Sequence, residues 1–261
     1  MILMERDLTQ KVKAQFGRQA ERYASSGPHA KGDSLELMVE WAEPRPSDVV
    51  LDVATGAGFT AFAFAPRARW VVATDLTANM LTQARRLAGE RGLTNLLFHL
   101  AEAQALPFHD GVFDIATCRL APHHFGSVPR FLAEIHRVLK SGGKLVLCDS
   151  SSPENPDCFA WQQETERTRD PSHVRNYSPS EWRRMTEEAG FRVDRVNTEH
   201  RSHLTFTDWV RTSGSDPATV TLLRERFLAA PPDIQDAFQI QLDGEEIRFS
   251  WMLAIVLARR G

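Results

Sequence analysis

Short apolar runs rich in β-branched residues recur at Val49–Ala54, Trp70–Asp75, Leu96–Ala101, Phe113–Arg119 and Gly143–Ser150. Segments with helical spacing of apolar positions separate them. That alternation predicts crossover helices and a mostly parallel, doubly wound α/β sheet. Helix punctuation agrees. Thr77 is placed to cap a helix running to Gly92, and Ser127 with Pro129 to open one that stops at Ser141-Gly142-Gly143. Ser178-Pro179-Ser180-Glu181 reads as a capping box before a helix ending at Gly190.

Beyond Ser150 the rhythm breaks. Residues 151–180 are polar and proline-punctuated, with one helix around Phe159–Arg167. Phe191–Val196 reads as a strand, Phe206–Phe238 as largely helical, and Ile247–Ala258 as an apolar final strand introduced by the Asp243-Gly244 turn. The chain thus divides into an amino-terminal helical cover (1–45), a core (46–150), lid insertions (151–180 and 205–243) and remaining sheet elements (181–204 and 244–261).

The sharpest local signal is Val49-Val-Leu-Asp-Val-Ala-Thr-Gly-Ala-Gly58, a strand running into Gly56-x-Gly58 with a helix beyond. Glycines here permit a tight turn and close approach of a ligand to the backbone. Asp52 precedes the loop, where a carboxylate repels a pyrophosphate and attracts a ligand bearing ammonium and sulfonium groups. The alternative is that Asp52 only bonds the loop. Asp75 ends the second strand, nineteen residues after Gly56, where doubly wound folds place an acid on ribose hydroxyls. Its alternative is a carboxylate stabilised by a helix N-terminus.

Composition narrows the partners. The 261 residues are 42% hydrophobic and 25% charged with net charge -3, so no electrostatic footprint for nucleic acid is present. Cys118, Cys148 and Cys158 have no CxxC spacing, which supports neither a metal site nor a disulfide framework, and Cys118 and Cys148, in expected buried strands, read as inert packed thiols. His200 and His203, three apart in an expected strand, should point to opposite faces, and no metal is expected. No apolar run approaches the roughly 18 residues of a membrane span, and a cytoplasmic location is expected.

These motifs resemble the class I S-adenosylmethionine-dependent methyltransferases. The resemblance rests on Leu51–Gly58, Ala73-Thr-Asp-Leu-Thr-Ala-Asn-Met80, Ala101-Glu-Ala-Gln-Ala-Leu-Pro-Phe108 and Phe113-Asp-Ile-Ala-Thr-Cys-Arg-Leu-Ala-Pro-His-His-Phe125. It is strongest to the UbiE-type group and its small YcgJ-like members, and it extends through Tyr23–Gly32 and Arg169–Arg175 to cover most of the chain. It implies one Rossmann-like methyltransferase domain with a seven-stranded sheet, using S-adenosylmethionine and releasing S-adenosylhomocysteine. By resemblance, Asp52, Gly56 and Gly58 face the methionyl part, Asp75 the ribose, Leu76, Glu102 and Ala103 the adenine, and Arg119 and Leu120 the methionine end, with Thr55 also among the cofactor-binding residues. Tyr23 and Gly32 fall in the cover. Ala101 stands where the family often has glycine. The family's asparagine-containing signature after the fourth strand is absent, which argues against a quinone acceptor.

Methyl transfer from a sulfonium mainly requires alignment, exclusion of water and, for some acceptors, removal of a proton. His123 and His124 follow the fourth strand at the sheet's carboxyl edge and are the candidate bases. Asp170, His173, Arg175 and Tyr177 would suit a lid touching the acceptor, with Arg175 favouring an acidic one. The expectation is methylation of oxygen, carbon or nitrogen on a small, partly apolar molecule. An S-adenosylmethionine-binding protein without transfer activity and, further off, an NAD-dependent oxidoreductase are the alternatives. Oligomeric state is left open, a homodimer being one option.

Overall fold

The computed structural model describes residues 7–17 and 32–261. Helix α1 covers residues 7–17 and α2 covers Asp33–Ala42. The alternation follows as β1 (Val49–Val53), α3 (Phe59–Phe64), β2 (Trp70–Asp75), α4 (Ala78–Glu90), β3 (Leu96–Leu100), β4 (Phe113–Arg119), α5 (Val128–Val138) and β5 (Leu139–Ser151). Then come α6 (Pro156–Arg169), α7 (Pro179–Glu188), β6 (Phe191–Asn197), β7 (Arg201–Thr205), α8 (Phe206–Ser213), α9 (Pro217–Leu228), α10 (Pro232–Phe238), β8 (Gln241–Asp243) and β9 (Glu246–Arg260).

The main sheet runs β3-β2-β1-β4-β5-β9-β6. Only β9 opposes the other six, since it pairs antiparallel with both β5 and β6 while β1 to β5 pair in parallel. The expected seven strands become nine because β9 is fifteen residues long. Its second half lies between β5 and β6, and its first half reaches past them with unsatisfied edges. Strands β7 and β8 fill those edges, one on each side at Arg248.

Central strands β1 and β2 are buried on both faces, which is why they read as continuous apolar runs rather than alternating ones. Leu51, Phe131, Ile135 and Leu147 pack one face, and Val50, Phe64, Met38 and Val146 the other. A third core belongs to the first half of β9. There Phe249 and Trp251 meet Trp161, Trp209, Phe227 and Phe238 from α6, α8, α9 and α10. Among the described residues no helix is long and apolar enough to cross a membrane.

Two boundaries differ from expectation. Thr77 holds the N-cap position of α4 without a side-chain cap bond, while Asp75 accepts the Thr77 N–H. Helix α5 passes directly into β5 at Leu139, and the strand absorbs the glycine turn through an irregular register against β4. The capping box of α7 is present in full, with Ser178 and Glu181 bonding each other's backbone N–H. Ser178→Ala is expected to lower stability by about 1 kcal/mol; an unchanged chemical-unfolding midpoint would contradict this.

Candidate functional site

The carboxyl ends of β1, β2, β3 and β4 share one cavity of about 150 Å³, the crevice where open α/β sheets place ligands. Ala54, Thr55 and Gly56 line it after β1, Asp75 and Leu76 after β2, Glu102 and Ala103 after β3, and Arg119 and Leu120 after β4. Leu8, Thr9, Val12 and Phe16 of α1 also line it. Ala54 and Leu120 both have φ +53, a left-handed backbone that costs a non-glycine residue energy and tends to persist at sites of function.

The lining fits S-adenosylmethionine. Gly56 has φ +55, and no atom stands within 4 Å of where a Cβ would begin, so the loop backbone is bare on that side. Asp75, at the end of β2, accepts the Gly56 N–H at 2.9 Å and the Thr77 N–H at 2.8 Å. Burial raises its pKa, against the lowering effect of those amide bonds. A carboxylate retains lone pairs for vicinal hydroxyls beyond these two amides. Leu76, Met80 and Ala103 supply apolar surface for a flat ring, with Glu102 at its border.

Two expected cofactor residues stand behind this wall instead of in it. Asp52 is buried and accepts the Thr55 hydroxyl at 2.6 Å and the Thr117 hydroxyl at 2.7 Å. Burial pushes its pKa up to about 6, against those hydroxyl bonds. Its carboxylate therefore braces the loop between β1 and β4, close to the alternative allowed for it above. Gly58 has φ +96, and a Cβ there would come within 2.4 Å of the Phe62 ring; its smallness admits that ring. Tyr23 lies outside the described residues, and Gly32 lines the neighbouring cleft.

That second cleft, about 1310 Å³, shares Phe16, Arg119, Leu120 and His124 with the first cavity. His123 lines it too, and its Nδ1 lies 2.7 Å from Asp149 Oδ1. A carboxylate has no proton to give, so Nδ1–H donates and Nε2 keeps the lone pair. Burial opposes charge on His123, but the charge and hydrogen bond of Asp149 outweigh it and raise the pKa. His124 is the opposite case: burial and then the neighbouring His123 lower it to about 3. Its Nδ1–H donates to the Ser172 carbonyl at 3.1 Å, and its ring meets Phe16 edge-on at 4.9 Å.

The expected lid residues do not reach either cavity. His173 is buried and donates from Nε2 to Gln163 Oε1 at 3.3 Å; burial lowers its pKa, and the charges of His123 and His124 lower it further. Arg175 pairs with Glu181 and covers the Phe159 and Tyr177 rings, so its charge is spent within the protein. Tyr177 packs on Trp182. Asp170 is buried and accepts the Ser172 N–H and hydroxyl, shaping the turn that holds His124.

In their place the cleft is lined by residues the sequence reading passed over or put aside, among them Glu166, Arg169, Asn176, Arg201, Trp209 and Trp251. His200 and His203 line it together. Strand β7 begins only at Arg201, so His200 stands in the connection before it and His203 within it. Asp149 was missed as well, although an acid ending an apolar strand beside β4 is the same signal that singled out Asp52 and Asp75.

A doubly wound sheet with a reversed strand beside its edge, opening at a glycine loop and acid, defines the class I methyltransferase architecture. Residues 51–147 match a family described as "Methyltransferase domain". The chain is 34% identical to the uncharacterised methyltransferase YcgJ of Bacillus subtilis over 242 residues, 93% of this chain and 95% of that protein. The crystal structure of YcgJ superposes with TM-score 0.80, covering 87% of this chain and 97% of that one. A putative methyltransferase from Bacillus halodurans gives TM-score 0.82 at 35% identity, covering 88% and 99%. The chain belongs to the S-adenosylmethionine-dependent class I methyltransferases, in the group that includes YcgJ.

Proposed function

We propose that this methyltransferase acts on a small, partly apolar molecule held in the larger cleft, at an oxygen or an acidic carbon, with His123 as general base. The observation carrying this reading is the His123–Asp149 pair in the wall of a cleft that meets the cofactor cavity. Nitrogen acceptors are less favoured, because a neutral amine attacks without prior loss of a proton and needs no base of raised pKa.

In this reading Thr55 and Gly56 lie against the methionyl part of the cofactor and Asp75 accepts the ribose hydroxyls. Leu76, Met80 and Ala103 hold the adenine face, and Glu102 accepts its amine. Asp52 and Gly58 shape the loop from behind. Arg119 and Leu120 stand at the junction of the two cavities. Bound there, S-adenosylmethionine would supply a methyl activated by its sulfonium, with a neutral thioether as leaving group.

His123 takes the acceptor's proton at Nε2, and Asp149 holds the ring in that tautomer while stabilising the imidazolium. His124 stays neutral and positions the junction, bonded to Ser172 on one side and packed on Phe16 on the other. Helix α1 excludes water from the cofactor side.

The test is mass spectrometry of products formed from S-adenosylmethionine and a mixture of phenols, enolisable ketones and primary amines. Methylated oxygen or carbon is expected, with a rate that rises with pH. Methylation confined to the amines, or none in any class although S-adenosylhomocysteine binds, would overturn the reading of His123.

A further inference from the structure

Asn176 follows the turn in which the Val174 and Arg175 N–H groups donate to the His123 carbonyl, at 2.9 and 3.2 Å. It lines the same cleft as His123. Gln163 fixes its backbone from both sides: Oε1 accepts the Asn176 N–H at 3.1 Å, and Nε2 donates to the Asn176 carbonyl at 3.3 Å. The Asn176 side chain is fully buried at the wall of the large cleft. Among the described residues neither its Nδ2 nor its Oδ1 has a hydrogen-bond partner. The Ser150 hydroxyl and the Trp251 indole N–H, at the same cleft, are also without partners among the described residues. Buried polar groups in folded proteins are nearly always paired. Here the donor and the acceptor of one planar amide are left open together.

We propose that Asn176 reads a neutral amide edge on the acceptor, so that the cleft selects aromatic carboxamides or lactams over the corresponding acids and amines. This rests on the large cleft being the acceptor site. An amide edge offers N–H to Oδ1 and C=O to Nδ2 in a planar two-bond array. Trp251 N–H and the Ser150 hydroxyl supply further donors, and the Trp209 and Trp251 rings supply walls for an aromatic body. Charge favours a neutral ligand. Among the described lining residues four arginines face four acidic side chains, and Arg169 is already paired with Glu166 at 3.1 Å. A carboxylate would leave Asn176 Oδ1 opposed by another acceptor, and an ammonium would leave Nδ2 opposed by another donor.

Ligand-observed NMR titration of the enzyme saturated with S-adenosylhomocysteine tests this, using benzamide, benzoate and benzylamine as shape-matched probes. Benzamide is expected to bind at least about tenfold more tightly than either charged probe. Asn176→Leu should remove that advantage without changing S-adenosylhomocysteine affinity, which also reports that the variant is folded. Asn176→Asp should move the preference to benzamidine, because a carboxylate pairs with an amidinium through the same two-bond array. Equal affinities for the three probes, no binding of benzamide, or an Asn176→Asp protein without the new preference would each overturn the proposal. The outcome is separable from the base assignment: benzamide selectivity persisting in an enzyme whose turnover ignores His123→Gln removes the base and keeps the amide site.

Discussion

Replacing His123 by Gln is expected to lower kcat by about 10²- to 10⁴-fold, the range for a positioned general base. Glutamine can still hydrogen-bond Asp149 but offers no basic lone pair to the cleft. S-Adenosylhomocysteine affinity should stay unchanged, because His123 lines the larger cleft and not the cofactor cavity. The pH profile gives an independent readout. The neutral imidazole is the working form, so kcat/KM is full above the His123 pKa and is lost as pH falls through it. Burial alone would set that pKa below 6.5, but the charge and hydrogen bond of Asp149 raise it above 6.5. The acid limb of the wild-type enzyme is thus expected above pH 6.5. In Asp149→Asn that charge is gone and burial is opposed only by the weaker charges of Glu166 and Asp170, so the limb should move to lower pH while turnover falls, the tautomer no longer being fixed. A wild-type limb at or below 6.5, or a limb that ignores Asp149→Asn, would remove the pair as the base.

The two histidines show why sequence could narrow the base to a pair and go no further. Both follow β4 and both titrate near neutrality when exposed. What separates them comes from far along the chain: Asp149 on β5 raises His123, whereas Ser172 beyond α6 takes the Nδ1–H of His124. Position within a motif carries no information about either partner.

The glycine loop and Asp75 were legible because their geometry is local. A strand, a turn and an acid at the next strand's end form one βαβ unit, and each residue's place follows from the unit. Asp52 belongs to the same unit, yet its direction is decided by two hydroxyls, Thr55 three residues away and Thr117 on β4. The lid was legible as a break in rhythm and illegible as a set of contacts. Arg175 reads in sequence as a ligand for an acidic acceptor, whereas in the fold Glu181, Phe159 and Tyr177 surround it. Asn176, an unremarkable residue in a polar stretch, acquires meaning only when Gln163 pins it at the cleft with its amide unpaired. Strands β7 and β8 escaped for a related reason: neither is longer than five residues, and the unpaired edges that recruit them exist only because β9 outruns its neighbours.

Asp75→Ala is expected to weaken S-adenosylhomocysteine binding by about 1 to 3 kcal/mol, roughly 5- to 150-fold. Two effects add. The variant loses the carboxylate assigned to the ribose hydroxyls, and it orphans the Gly56 and Thr77 N–H groups that Asp75 now accepts at 2.9 and 2.8 Å. The second effect also acts without ligand, so the free variant should unfold at lower denaturant concentration than the wild type. Subtracting that loss is unnecessary if Asp75→Asn is measured alongside. Asparagine can satisfy one amide with its oxygen, but its own NH₂ faces the other donor, so much of the affinity loss should remain while part of the stability returns. Acid gives the same sign by another route. Asp75 is ionised above its pKa, which burial holds above 3.8, and affinity should decline as pH falls through that raised value. Calorimetric titration of folded protein decides the matter: S-adenosylhomocysteine affinity equal in wild type, Asp75→Ala and Asp75→Asn would take the ribose away from this carboxylate and leave Asp75 as a brace for the glycine loop.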